Sequence, residues 1–154
     1  MATARSPGRS LRPAETSLAP AGKSSPWART FPPLTRTDFV KYQGASGDFH
    51  PLHHDEPFAQ ATGFPTVFSV GMLQAGMLAT YVTDWLGAEE IRRFKVRFVE
   101  QVWPGDELTC TARITDITDT ADGPAGGRLV SVALTCTRQT GAVALTGSAQ
   151  FVLP

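Results

Sequence analysis

Cysteine is scarce in this chain: its 154 residues include only two, Cys110 and Cys136. Two thiols so far apart make no disulfide framework, and each lies in a strand-like stretch where a buried thiol is the ordinary outcome. Net charge is also missing, since 14 Lys and Arg cancel 14 Asp and Glu. That balance lacks the electrostatic footprint of a protein that binds nucleic acid or an anionic membrane. No apolar run is long enough to cross a bilayer, because Val67 to Leu86 is broken by Ser69, Gly71, Gln74, Gly76 and Asp84. The N-terminus has no apolar signal core. Together these absences predict a reduced, cytoplasmic protein with neither a membrane nor a nucleic-acid partner.

What is present points to one domain. Hydrophobic residues make up 42% of the chain and charged ones 18%, enough apolar material for a single core. Residues 1–26 are rich in Ala, Ser, Pro, Gly and Arg and nearly devoid of large apolar side chains, which predicts a disordered or loosely ordered tail. The folded domain is expected over residues 27–154.

Within that domain the hydrophobic period changes once. Thr35 to Ala45 reads as a short helix capped by Thr37 or Asp38 and ended by Gly44, and a second runs from Glu56 to Ala61. The main helix is expected from Val70 to Leu86, stopped by Gly87, and is apolar on nearly every side, as for a helix wrapped by other structure. After Gly87 the pattern has period two: Arg93 to Val99, Glu107 to Ile117, Leu129 to Arg138 and Ala142 to Leu153 read as four antiparallel strands. Turns fall at Pro104-Gly105-Asp106 and Gln139-Thr140-Gly141, with a longer Gly-rich loop from Asp119 to Gly127. Further strand structure is expected near Phe31 or Val67. The fold class is α+β, an antiparallel sheet around one central buried helix.

Histidine is also scarce, and all three, His50, His53 and His54, fall within five positions, flanked by Asp48 and Asp55. Pro51 stiffens that loop and Gly47 permits a tight approach to it. A carboxylate and an imidazole five residues apart across such a turn can converge on one water. The plainer possibility is that Asp48 caps the loop and His53 lies on the surface. His54 and Asp55 are expected to cap and solvate the next helix. A metal site is not expected, because an adjacent His pair without distant ligands makes a poor tetrahedral set. Phe49, Phe68 and Met72 are neighbours of the loop or of the main helix start that would suit an apolar chain, and His50 is open between lining that pocket and taking part in chemistry.

The loop and the order of elements resemble the MaoC-like dehydratase or (R)-specific enoyl-CoA hydratase family of hotdog folds. That family's motif runs from an aromatic residue to Asp-x-Asn-Pro-aliphatic-His, and Tyr42 to His53 follows it with His50 where the family has Asn. Gly71-Met72-Leu73 is similar to its Gly-Met-Leu, and Phe98 to Asp106 to its Phe-x-x-x-Val-x-Pro-Gly-Asp. Val70 stands where many members have His, and Ala79 where some have Ser, leaving Gln74 and Thr80 as nearby polar side chains. The resemblance implies a single hotdog domain and a hydratase or dehydratase interconverting 3-hydroxyacyl and trans-2-enoyl thioesters of CoA or acyl carrier protein. It implies Asp48 and His53 as catalytic dyad, the Gly71 N–H as donor to the thioester oxygen, and no cofactor or metal. It also implies a homodimer, or a heterodimer, with sites near the subunit interface. The alternatives are a hotdog enzyme repurposed for thioester hydrolysis or for a tailoring step on a polyketide or other acyl thioester, and a non-catalytic acyl-thioester-binding subunit.

Overall fold

The computed structural model describes residue 22 and residues 28–121 and 127–154. The expected tail boundary and the middle of the Asp119–Gly127 loop lie outside those residues. In chain order the elements are β1 (Arg29–Phe31), α1 (Arg36–Ser46), a single 3₁₀ turn (Pro51–His53), α2 (Glu56–Ala61), α3 (Gly71–Leu86), β2 (Ile91–Phe98), β3 (Leu108–Asp119), β4 (Arg128–Arg138) and β5 (Val143–Leu153). The strands form one antiparallel sheet in the order β1-β3-β4-β5-β2.

Alternation explains why the sheet has one dry face. Leu108, Cys110, Ala112 and Ile114 of β3 and Val130, Val132, Leu134 and Cys136 of β4 are buried, and the residues between them are more exposed. Across that inner face lies α3, burying Ala75, Leu78, Tyr81, Val82, Trp85 and Leu86. Tyr81 and Phe151 are fully covered, and each such side chain contributes about 2–3 kcal/mol by leaving water. This α+β architecture is the hotdog fold.

The structure corrects several local expectations. Thr35, rather than Thr37 or Asp38, caps α1, with the Asp38 carboxylate returning a bond to the Thr35 backbone N–H in a capping box. Those bonds from Thr35 hold the Asp38 carboxyl below its ordinary range. The helix also continues through Gly44, since one internal glycine costs only about 1 kcal/mol, and stops at Gly47, whose φ of 76° suits glycine and whose N–H bonds Gln43 O at 2.8 Å. The extra strand is β1 at Phe31; Val67 is buried in an irregular segment. Finally, α3 is not covered on every side. Met72, Gly76, Thr80 and Asp84, four residues apart, form an exposed stripe, because the sheet covers only the opposite face.

Candidate active site

The loop after α1 is built around one buried amide. Gln43 is only 2% exposed. It lies one helical turn beyond the fully buried Phe39, on the inward face of α1. Its Nε2 donates to Asp48 O at 2.9 Å and approaches His50 O at 3.4 Å and His54 Nδ1 at 3.1 Å. The carbonyls of a tight loop need such a donor once they turn away from water. His54 thus serves the loop, while Asp55 caps α2 by accepting from Phe58 N.

His50 caps the 3₁₀ turn, its Nδ1 accepting from Leu52 N at 3.3 Å. A short side chain with an acceptor two bonds beyond Cβ is what this position needs, and an imidazole Nδ1 supplies it as an Asn oxygen would. The histidine standing in place of the expected Asn therefore keeps the turn intact. Its ring meets the edges of the His53 ring, 6.1 Å between centroids, and of the Phe58 ring, 6.0 Å.

His53 ends the turn, with its side chain only 11% exposed. Its Nδ1 lies 2.8 Å from Phe68 O. A carbonyl can only accept, so Nδ1 donates to it and Nε2 is the ring nitrogen left to face the loop. Nε2 faces Asp48 Oδ2 at 4.0 Å, and the Asp48 side chain is 47% exposed. The Phe68 ring stacks edge-on against His53 at 5.2 Å and also touches Phe64 and Trp103. One aromatic residue thus orients the imidazole both through its carbonyl and through its ring.

Three residues beyond Phe68 the chain enters α3 at Gly71. Val70, the N-cap, offers no side-chain bond, so the first N–H groups of α3 lack partners within the helix. The backbone here is held from both sides. Ser69 N donates to Val102 O at 2.8 Å, and the buried Gln74 amide donates to Val70 O and Gly71 O at 2.7 Å while accepting from the Ser69 hydroxyl at 3.0 Å. A Cβ at Gly71 would stand 2.9 Å from the Phe98 ring, so the close approach of β2 requires glycine or a displaced ring. In front lies a cleft of about 320 Å³ lined in part by Phe68, Ser69, Gly71, Gln74, Phe98 and Leu145. Of the expected pocket residues, Phe68 borders it. Phe49 and Met72 are 64% and 54% exposed and, like His50, lie outside its lining.

The sequence reading passed over Gln43 and Asp106 as individual residues. Asp106 is 3% exposed. It accepts from Trp103 N at 2.8 Å, Gln139 Nε2 at 3.0 Å and Arg138 Nη2 at 3.1 Å. Arg138 Nε lies 2.7 Å from its Oδ2, close enough for an ion pair although that N–H is not aimed at it. The clamped turn also joins Leu34, through Leu34 N to Asp106 O and Gly105 N to Leu34 O. A signal for Gln43 was available in its four-residue spacing from Phe39. Among the described residues, no three His, Cys, Asp or Glu side chains form a metal-ligand group, and no helix is long and apolar enough to cross a membrane.

Comparison with known proteins shows the family and the fold. The model of the MaoC like domain matches residues 19–133. Over 136 residues the chain is 29% identical to an (R)-specific enoyl-CoA hydratase of Rhodospirillum rubrum, covering 86% of this chain and 87% of that protein. Among solved structures, the (R)-hydratase from A. caviae involved in PHA biosynthesis superposes with a TM-score of 0.73 at 25% identity, covering 90% of this chain and 99% of that one. A chain of the ChsH1-ChsH2 complex from Mycobacterium tuberculosis shares the fold, with a TM-score of 0.72 at 23% identity over 87% of this chain and 98% of its own. The protein described here therefore belongs to the MaoC-like domain family.

Proposed function

We propose that this chain interconverts 3-hydroxyacyl and trans-2-enoyl thioesters, with Asp48 and His53 sharing the acid–base work and the Gly71 N–H binding the thioester oxygen. The observation that carries this reading is the Nε2 of His53 standing 4.0 Å from Asp48 Oδ2 while its Nδ1 is held by Phe68. The gap is too wide for a direct hydrogen bond and suits one water bonded to both at about 2.8 Å. In hydration the pair takes a proton from that water as its oxygen attacks the β-carbon. A proton returned to the α-carbon completes the addition, and the enolate charge on the thioester oxygen falls to the unpartnered N–H at the start of α3. The dipole of the helix supports negative charge there. The apolar wall of Phe68, Phe98, Val102 and Leu145 provides a dry surface for an acyl chain.

The same reading includes a dimer. β2 is an edge strand with one unpaired margin, and Met72, Phe98 and Val99, each more than half exposed, are apolar side chains on or beside it and α3. A second copy or a related chain pairing there would cover them and wall the open side of the cleft. CoA and acyl carrier protein are both admitted as the thioester's carrier.

The test is loss of enoyl absorbance when the protein is mixed with crotonyl-CoA and with a longer 2-enoyl-CoA. Hydration by the native chain, reduced about 10²- to 10⁴-fold in Asp48→Asn and His53→Ala while the circular dichroism spectrum is unchanged, is the expected result. Near-normal rates in either variant would overturn the dyad. Release of free thiol without hydration would favour thioester hydrolysis, and binding of acyl-CoA without turnover would favour a non-catalytic subunit.

A further inference from the structure

We infer that Cys110 and Cys136 are a latent disulfide site, a pair of thiols that a peroxide converts to a cross-strand bond within the folded chain. The register of β3 and β4 places the two residues directly opposite one another. Their kind of pairing follows from one bond nearby. Gln139 N donates to Glu107 O at 3.1 Å, which makes Glu107 and Gln139 a hydrogen-bonded pair. Such pairs alternate along an antiparallel ladder. Thr109 and Thr137 are then hydrogen-bonded, and Leu108–Arg138 and Cys110–Cys136 are not; the register is unbroken as far as Ile114. In non-hydrogen-bonded pairs the Cα atoms are about 4.5 Å apart with the side chains leaning together. That is inside the roughly 4.4–6.8 Å window that a disulfide spans.

Both thiols lie on the inner face of the sheet and are fully covered. Each faces the other, and their mutual interaction lowers the Cys136 thiol against the opposing effect of burial and, together with burial, pushes Cys110 up. The thiolate of one cysteine attacks a peroxide oxygen, giving a sulfenic acid and water once the leaving oxygen is protonated. The sulfur of the other then attacks that sulfenic sulfur, loses its proton and expels a second water. The two sulfurs together give up two electrons, and the peroxide is reduced to two waters. Access comes from the margin of the sheet: among the described residues, β3 is flanked there by the three-residue β1, whose Arg29 stands opposite Cys110, and by Gly22, whose N–H bonds Ile114 O at 2.9 Å. A strand that short opens readily to a small neutral molecule.

The experiment uses the reduced full-length protein and hydrogen peroxide in native buffer, followed by intact mass, peptide mapping and thermal melting. The expected result is a loss of about 2 Da with the Cys110 and Cys136 peptides linked. The oxidised protein should melt on the order of 5–10 °C higher, because the bond closes a loop of about 25 residues. Dithiothreitol should reverse both changes, and Cys136→Ala should show neither. The inference is overturned if the native thiols stay free under peroxide that oxidises the urea-unfolded chain, or if only oxygen addition or bridges between chains appear. None of these outcomes depends on the reaction proposed for Asp48 and His53.

Discussion

The buried amide of Gln43 donates to the main-chain carbonyl of Asp48 at 2.9 Å, so the carboxylate of the candidate site is placed from α1. Replacing the amide with an apolar side chain of similar size, Gln43→Leu, strips the donor from Asp48 O and the partner from His54. The variant should lose about 1–3 kcal/mol of stability in a urea titration. Its turnover of enoyl thioester should fall about tenfold, since small misplacements of a catalytic group are costly. Unchanged turnover in a folded Gln43→Leu protein would show that the loop holds its own shape.

Gly71→Ala tests the approach of β2 to the start of α3. The new methyl meets the far edge of the Phe98 ring at 2.9 Å, and that ring, half-exposed in the single chain, is the part that gives way. The expected cost in melting temperature is therefore small, a few degrees. The displaced ring crosses the mouth of the cleft, so KM should rise several-fold with less effect on kcat. Phe98→Ala introduced into Gly71→Ala should bring KM back toward the native value. Failure of the double variant to recover would place the defect in the N–H group instead of in the ring.

Asp106→Ala removes a buried partner from Arg138 and Gln139 and frees the Trp103 N–H. Leaving the guanidinium with only the half-exposed Glu100 carboxylate, 3.8 Å away, should cost about 3 kcal/mol, visible as a large drop in the urea midpoint. Because Trp103 packs on Phe68 and Phe68 holds His53, the Nδ1 proton signal of His53 should also broaden or shift in the NMR spectrum. A stability loss with that signal unmoved would confine Asp106 to holding the turn.

Much of the fold was legible because its elements announce themselves by period. The strands β2 to β5 and the helix α3 were expected within two residues of where they lie, since alternation and an apolar run ended by Gly87 are strong local signals. The start of α1 was expected within one residue, but its cap was misassigned because Asp38 works backward from its third position, so the cap is Thr35. The exposed stripe of Met72, Gly76, Thr80 and Asp84 was hidden because apolar content does not say which face a sheet will cover. At the candidate site, the motif singled out Asp48, His53 and Gly71. It could not show that Phe68 holds His53 by its carbonyl, because any residue at that position has one. Gln43 and Asp106 read as ordinary polar residues of a helix and a turn until burial set them apart.

The turn from Trp103 to Asp106 has a consequence for the order in which the molecule assembles. It bonds to Leu34 ahead of α1, to Ser69 ahead of α3 through the adjoining Val102, and to Arg138 at the end of β4. Contacts this distant along the chain form only after the long intervening loops have closed. The site therefore matures at the end of folding, after the hairpins of the sheet have formed. Recovery of activity after dilution from denaturant should follow the last phase of folding, and a fragment ending before β4 would keep its histidines and lose the framework that aims them.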